Sequence, residues 1–247
     1  MKPSPPLNPF LRKFLKKLIG KSKFRTIFGR HEDTTKFIWK KLSKELDKQS
    51  AILDIGAYIG EFSILARMNN PHVHIHLFEP NVVSLEQLKK NIIGLNIEAS
   101  NLAISNKCEK VLFSNQKAVS KIINNQTGDY PSFEVNTTTL DRYQKEKNII
   151  IKLIKIDTEG NEFKILSGAS NLLNNYSPII CCEVLTNEDG HKLTILLKEK
   201  YVFYYVDEKY KKVLKKTLID RKLWRNKNWF FVPINDVDIF ESIIKEL

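Results

Sequence analysis

Three stretches of this chain, residues 51–55, 149–156 and 179–184, are almost continuously apolar, and each carries an acid at or beside its end: Asp54, Asp157 and Glu183. A strand buried on one face alternates polar and apolar residues. A strand apolar on both faces needs cover on both, and that is the condition of a parallel sheet flanked by helices. The intervening sequence supplies those helices. A helical pattern runs through Phe37, Ile38, Leu42 and Leu46, and the spacing then predicts a helix at 61–69, a strand at 72–78, a helix at 82–93 and a strand at 97–104. This βαβαβ alternation implies a Rossmann-like α/β fold. Later elements are a helix at 162–173, a helix at 191–199, and strands at 201–206 and 229–232. The last two are expected to pair antiparallel across the 207–228 insertion. Residues 107–138 are polar and broken by Gly128 and Pro131, and read as an irregular or short-stranded excursion available for substrate contacts.

A length of 247 residues and 42% hydrophobic content give room for one large α/β domain or two small ones. No run approaches the roughly 18 apolar residues of a membrane-spanning helix, and the N-terminus lacks a signal-peptide pattern, so a cytoplasmic location is expected. The formal charge of +12 is unevenly spread. Lys2, Arg12, Lys13, Lys16, Lys17, Lys21, Lys23, Arg25 and Arg30 all precede the first acid, Glu32, which divides a basic segment, 1–30, from a mildly basic domain, 31–247. Within that segment, residues 10–19 form an amphipathic helical pattern. Phe10, Leu11, Phe14, Leu15, Leu18 and Ile19 fill one half and Arg12, Lys13, Lys16 and Lys17 the other, with Gly20 as the stop. Such a helix either packs on the domain with its lysines in water or lies on an anionic membrane surface, here the inner face; nucleic acid is a weaker third reading. Three cysteines, Cys108, Cys181 and Cys182, have no metal-ligand spacing and read as reduced, mostly buried thiols.

The segment Asp54-Ile55-Gly56-Ala57-Tyr58-Ile59-Gly60-Glu61-Phe62 puts an acid at the end of the first strand and two glycines in the turn into a helix. Glycine there lets backbone approach a ligand at the carboxyl edge of the sheet, although tight turns also use glycine for steric reasons alone. The second strand ends in Glu79-Pro80, where an acid can accept hydrogen bonds from ribose hydroxyls. Together these mark a nucleoside site. A dinucleotide site usually shows three glycines that seat a pyrophosphate, which Asp54 would repel. The same carboxylate suits the cationic amino-acid end of S-adenosylmethionine.

Here the chain resembles the FkbM methyltransferase family. The matching segments are Asp54 through Gly60, Phe78-Glu79-Pro80, Leu88 and Asn91, Leu102-Ala103-Ile104-Ser105, Thr139-Leu140-Asp141, Lys155-Ile156-Asp157-Thr158-Glu159-Gly160 with Glu162 and Leu166, and Pro178 through Glu183. Asn is the commoner residue in the family where Tyr58 stands. The resemblance implies a class I methyltransferase fold, mostly parallel with an antiparallel C-terminal strand and helices on both faces. It also implies S-adenosyl-L-methionine as cofactor. Asp54, Gly56, Ala57, Tyr58 and Gly60, followed by Glu61 and Phe62, would line the methionine part; Glu79 and Pro80 would hold the ribose, and Leu102 and Ala103 border the adenine.

Alternation along 149–157 puts Leu153, Lys155 and Asp157 on one side, with Asp157 at the carboxyl edge where the methyl group should sit. Asp157, Glu159 and Glu183 are the catalytic candidates. Acids from adjacent strand ends can bind a divalent cation that acidifies a substrate hydroxyl, or one can act as its general base. The structural alternative has Asp157 capping the next helix and Glu159 and Glu183 paired with lysines. Lys155 reads as a partner of these acids. His72, His74 and His76 share a strand face but spread over about 13 Å, too far for one ion. His191 reads as a surface residue rather than a base, while Trp224, Arg225, Lys227 and Trp229 resemble a stacking-plus-charge patch for nucleic acid, and a strand packed on the core explains the aromatics as well. The resulting expectation is O-methylation of a hydroxyl on a carbohydrate, glycolipid or related metabolite. An RNA or protein methyltransferase, or a non-catalytic nucleoside-binding module, are the alternatives.

Overall fold

The computed structural model describes residues 32–114, 122–123, 132–220 and 227–247. The basic segment and its 10–19 helix, Gly128, Pro131, Trp224 and Arg225 therefore lie outside the described residues. In chain order the elements are α1 (Asp33–Glu45), β1 (Ser50–Ile55), α2 (Glu61–Asn69), β2 (His74–Phe78), α3 (Val82–Asn91), β3 (Glu98–Ser100), β4 (Ala103–Ile104), β5 (Lys110–Ser114), β6 (Ile122–Ile123) and β7 (Ser132–Thr138). They continue with α4 (Leu140–Lys147), β8 (Ile150–Ile156), α5 (Glu162–Ser167), α6 (Ser170–Asn175), β9 (Ile179–Glu183), α7 (Asn187–Leu197), β10 (Tyr201–Asp207), β11 (Lys212–Lys216), β12 (Asn228–Pro233) and α8 (Val237–Ile244).

The main sheet runs β11-β10-β12-β9-β8-β1-β2-β3. Strands β9, β8, β1, β2 and β3 are parallel, while β12 is antiparallel to both β9 and β10. This is the class I methyltransferase arrangement, extended by a hairpin strand, β11. Chain order reverses between β1 and β8, so the crevice at their carboxyl ends is the topological switch point where open α/β sheets bind ligands. One sheet face is covered by α4, α5, α6 and α7, through Leu140, Tyr143, Ile165, Leu172 and Leu193. The other is covered by α1, α2 and α8 through Ile38, Trp39, Phe62 and Phe240. That double cover explains why β1 and β9 are apolar apart from Ser50 and the acids at their ends, Asp54 and Glu183: every residue of both is buried.

The differences from the sequence pattern have local causes. The strand expected at 97–104 is two pieces, β3 in the main sheet and β4 in a second sheet of order β4-β7-β5-β6, which is the form the 107–138 excursion takes. The helix expected at 162–173 breaks into α5 and α6 at Gly168, because the loop after β4 presses on it. A Cβ at 168 would stand 2.7 Å from the Asn106 Cα and 2.8 Å from the Ser105 carbonyl oxygen. Helix α6 is instead capped from another element: the Asp141 carboxylate accepts from Asn171 N (2.9 Å) and Leu172 N (2.8 Å). The helix expected from His191 begins earlier, where the Thr186 hydroxyl accepts from Asp189 N, and His191 lies exposed on α7. All three cysteines are free thiols and mostly buried: Cys181 and Cys182 lie in the core, and Cys108 is exposed in the turn before β5. Among the described residues no helix is long and apolar enough to cross a membrane.

Candidate active site

The turn after β1 is built so that two strand ends nearly touch. Gly56 has φ of +77°, and a Cβ there would lie 1.9 Å from the carbonyl oxygen of Asp157. The Gly56 and Ala57 amides both donate to the Phe78 carbonyl, and the Asp157 amide donates to the Ile55 carbonyl. Three strand ends, β1, β2 and β8, are thereby stitched at one point. Gly60, also at positive φ, lets α2 start against Leu88, while the Asn91 amide donates to the Ile59 carbonyl at 2.9 Å. The family-like Leu88 and Asn91 thus support the turn from behind.

A cleft opens at this junction, lined by Ile55, Gly56, Tyr58, Phe78, Glu79 and Pro80 on one side. Its remaining walls are apolar, from Leu102, Ala103, Ile104 and Ile122, and polar, from Asp157, Thr158, Glu159 and Asn161. Glu79 is buried and accepts from the Tyr58 amide on one oxygen and the Asn81 amide on the other, both at 2.8 Å. Each oxygen keeps a lone pair free for a hydroxyl donor. Asp54 lies deeper. It is 3% exposed and accepts from the Ser63 hydroxyl at 2.7 Å, on the α2 side of the sheet. Of the other residues assigned to the cofactor, Gly60 and Ala57 shape the turn, Glu61 pairs with Lys36, and Phe62 is packed edge-on against Trp39. These, with Asp54, lie outside the cleft wall.

The three candidate acids come together: carboxylate oxygens of Asp157, Glu159 and Glu183 all lie within 4.8 Å of one another. Asp157 does not cap a helix. Its Oδ2 accepts from the Lys155 ammonium at 3.2 Å, and Lys155 is 1% exposed. Burial opposes that lysine's charge, but Asp157, Cys181, Glu32 and Glu183 more than compensate and raise its affinity for the proton. The turn bearing Glu159 is held instead by Glu162, whose Oε1 accepts from Thr158 N, Thr158 Oγ1 and Gly160 N. Glu183 meets Lys227 at 3.2 Å through Oε1, while its buried Oε2 has no hydrogen-bond partner among the described residues. Trp229 is buried in β12 and His76 bonds the Tyr143 hydroxyl, so neither serves the cleft.

Sequence reasoning gave no site role to Ile122 or Asn161. Asn161 ties the two halves of the cleft by donating to the Ile104 carbonyl at 2.9 Å. Ile122 reaches the cleft only because β5 and β6 pair, a long-range register that no local pattern announces.

Desolvation raises three carboxyls: Asp54 to about 6, Glu79 to about 7, and Glu183 to about 8, the last reinforced by the charge of Asp157. Folded values above unfolded ones mean stability that is full below about pH 4 and is lost as pH rises through the folded values. Urea midpoints are therefore expected to fall steadily between about pH 5 and pH 8. Glu183→Gln should flatten the upper part of that fall; an unchanged slope would show that Glu183 ionises freely.

The sequence profile described as the Methyltransferase FkbM domain matches residues 54–205. No curated protein matches the chain. Among solved structures, it is similar to methyltransferase FkbM from Methylobacillus flagellatus KT, at 14% identity and a TM-score of 0.49, covering 78% of this chain and 47% of that one. It is also similar to the human methyltransferase 10 domain containing protein (14% identity, TM-score 0.47, 92% and 97% covered). A third is an S-adenosylmethionine-dependent O-methyltransferase from Thermotoga maritima (10% identity, TM-score 0.45, 87% and 69% covered). The chain spans about half the length of the Methylobacillus protein.

Proposed function

The chain belongs to the FkbM methyltransferase family, and on that premise we propose that it uses S-adenosylmethionine to methylate a hydroxyl of a carbohydrate, glycolipid or related metabolite. The observation that carries this reading is the cleft itself. At one switch point it holds a buried acid with spare lone pairs, Glu79, an apolar wall, and a cluster of carboxylates at the opposite lip.

The donor set fits the cofactor. Glu79 suits the ribose hydroxyls, and Pro80, Leu102, Ala103 and Ile122 suit a flat apolar base. Asp54 supplies negative potential behind the turn, on the side where a cationic amino-acid group would lie. When bound, the cofactor supplies an activated methyl on a sulfonium. The chain's own contribution is to orient the acceptor hydroxyl in line with that methyl and to take up its proton. Asp157, fixed by Lys155, is the orienting acceptor; Glu183, within 4.8 Å of it, can receive the proton only in its ionised form, so turnover should rise with pH toward about 8. A divalent cation fits less well, because the buried ammonium of Lys155 already supplies positive charge to Asp157.

Calorimetric titration with S-adenosylmethionine and its demethylated product tests the premise. Glu79→Ala should weaken binding by about ten- to a hundredfold, the worth of hydrogen bonds to a charged group. Asp54→Ala should weaken it less. If the folded protein shows no saturable binding at millimolar ligand, the reading fails; binding with no turnover on any hydroxyl acceptor would favour a non-catalytic module.

A further inference from the structure

Strand β10 runs parallel to β9, so its end, Asp207, and the turn that follows emerge at the carboxyl edge of the sheet, where the cleft opens. Between β11 and β1, whose end lines the cleft, there are five strand steps, roughly 24 Å. The hairpin so placed reads Lys209-Tyr210-Lys211-Lys212-Val213-Leu214-Lys215-Lys216-Thr217-Leu218, with no acid in it. Lys209, Lys211 and Lys212 are exposed, and among the described residues none of them, nor Lys216, is paired with an acid. Lys215 meets Glu241. Lysines on an edge strand ordinarily serve to discourage pairing with another sheet. That role does not explain the apolar residues set among them: Tyr210 is 61% exposed, Leu218 51% and Leu214 40%.

We propose that this hairpin is a docking surface for a bilayer bearing anionic headgroups. Lysines attract the negative surface potential as point charges, and exposed leucine and tyrosine side chains enter the interfacial layer, where they leave water. Aliphatic side chains gain nothing from bases or phosphates, so the mixture favours lipid over nucleic acid. Glu208, at the foot of the hairpin, accepts from the amides of Thr34 and Thr35 and so caps α1. The segment before Glu32, which carries nine lysines and arginines and no acid, joins the domain at this point. Docking in this orientation brings the mouth of the cleft to headgroup level, and the docking stands independently of the methyl-transfer reading.

The test is flotation of the full chain with phosphatidylcholine vesicles, with and without about one-third phosphatidylglycerol, at low and high salt. The wild type should float only with the anionic vesicles, and less at high salt. K209E/K211E/K212E should lower partitioning on the order of a hundredfold, since each lysine near the surface contributes roughly fivefold. The control K44E/K48E/K90E changes as many exposed lysines on the opposite edge and should lower it far less. Three results would overturn the proposal: no flotation of wild type, equal losses in the two variants, or a wild-type chain that binds single-stranded RNA in preference to the anionic vesicles. Circular dichroism melts of both variants show whether either has lost its fold, and L214S/L218S, which leaves the charge unchanged, should also weaken flotation.

Discussion

Gly56→Ala is expected to cost about 3–5 kcal/mol of stability and to abolish measurable cofactor binding, placing it among the most damaging single-atom-group additions available to this fold. Two penalties add. A left-handed conformation costs a non-glycine residue about 1–2 kcal/mol. The second penalty is steric: the new methyl would sit 1.9 Å from the Asp157 carbonyl oxygen and 2.8 Å from its carbon, which are backbone atoms that cannot rotate aside. Relief requires the ends of β1 and β8 to separate, which breaks the Asp157 amide bond to the Ile55 carbonyl and moves the acid out of the cleft. Gly94 provides the control. Its φ is +76°, nearly the same, but nothing lies within 4 Å of a Cβ built there. Gly94→Ala should therefore cost only the conformational term and leave binding intact. Urea denaturation and calorimetry on both variants separate the two effects; if Gly56→Ala costs no more than Gly94→Ala, the close approach is not what the glycine is for.

The same comparison shows what the sequence made legible. Gly56, Gly60 and Glu79 were readable because each does a job that only its residue type can do, at a spacing fixed by one strand–turn–helix unit. Strands β1, β8 and β9 were readable because burial on both faces leaves nearly unbroken apolar runs. Helix α8 went unread although Val237, Phe240, Ile243 and Ile244 carry its spacing; with Phe240 fully buried, it is part of the core. Other features had no local signal. The break at Gly168 is imposed by Ser105 and Asn106, and the entry of Ile122 into the cleft by pairing with β5. The role of Glu162 depends on a turn conformation, with Glu159 and Gly160 both at positive φ, that the sequence does not display. Asp157 and Glu183 were expected at adjacent strand ends on one edge, but the meeting of all three acids within 4.8 Å follows from the register of β8 against β9 and the turn that carries Glu159.

Lys155→Met carries the second large effect and tests how that acidic cluster is held. The lysine is the positive charge that faces Asp157, Glu32 and Glu183, and its ammonium lies over the Phe62 ring, 5.1 Å from the ring centre. Removing one partner of a fully buried pair costs about 3–5 kcal/mol, and because the Asp157 side chain is 39% exposed and can be resolvated, the loss here should be nearer about 2–3 kcal/mol. Methionine fills most of the volume, so the loss is electrostatic rather than a cavity. The pH dependence supplies the diagnostic. Lys155 binds its proton more tightly folded than unfolded, so its own contribution is constant below about pH 10 and is lost only above that. Glu183 behaves differently: without the lysine it would hold its proton to higher pH still. The variant should therefore be destabilised more at pH 8, where the wild-type Glu183 begins to ionise and the variant's is held protonated, than at pH 5, where Glu183 is protonated in both folded chains. Adding Glu183→Gln to Lys155→Met removes one of the competing charges and should recover part of the loss at pH 8 and little at pH 5. A penalty under about 1 kcal/mol, equal at both pH values, would mean that Lys155 is solvated like a surface pair; Asp157 would then not be held in place by the lysine, and its assignment as the orienting acceptor would fall with it.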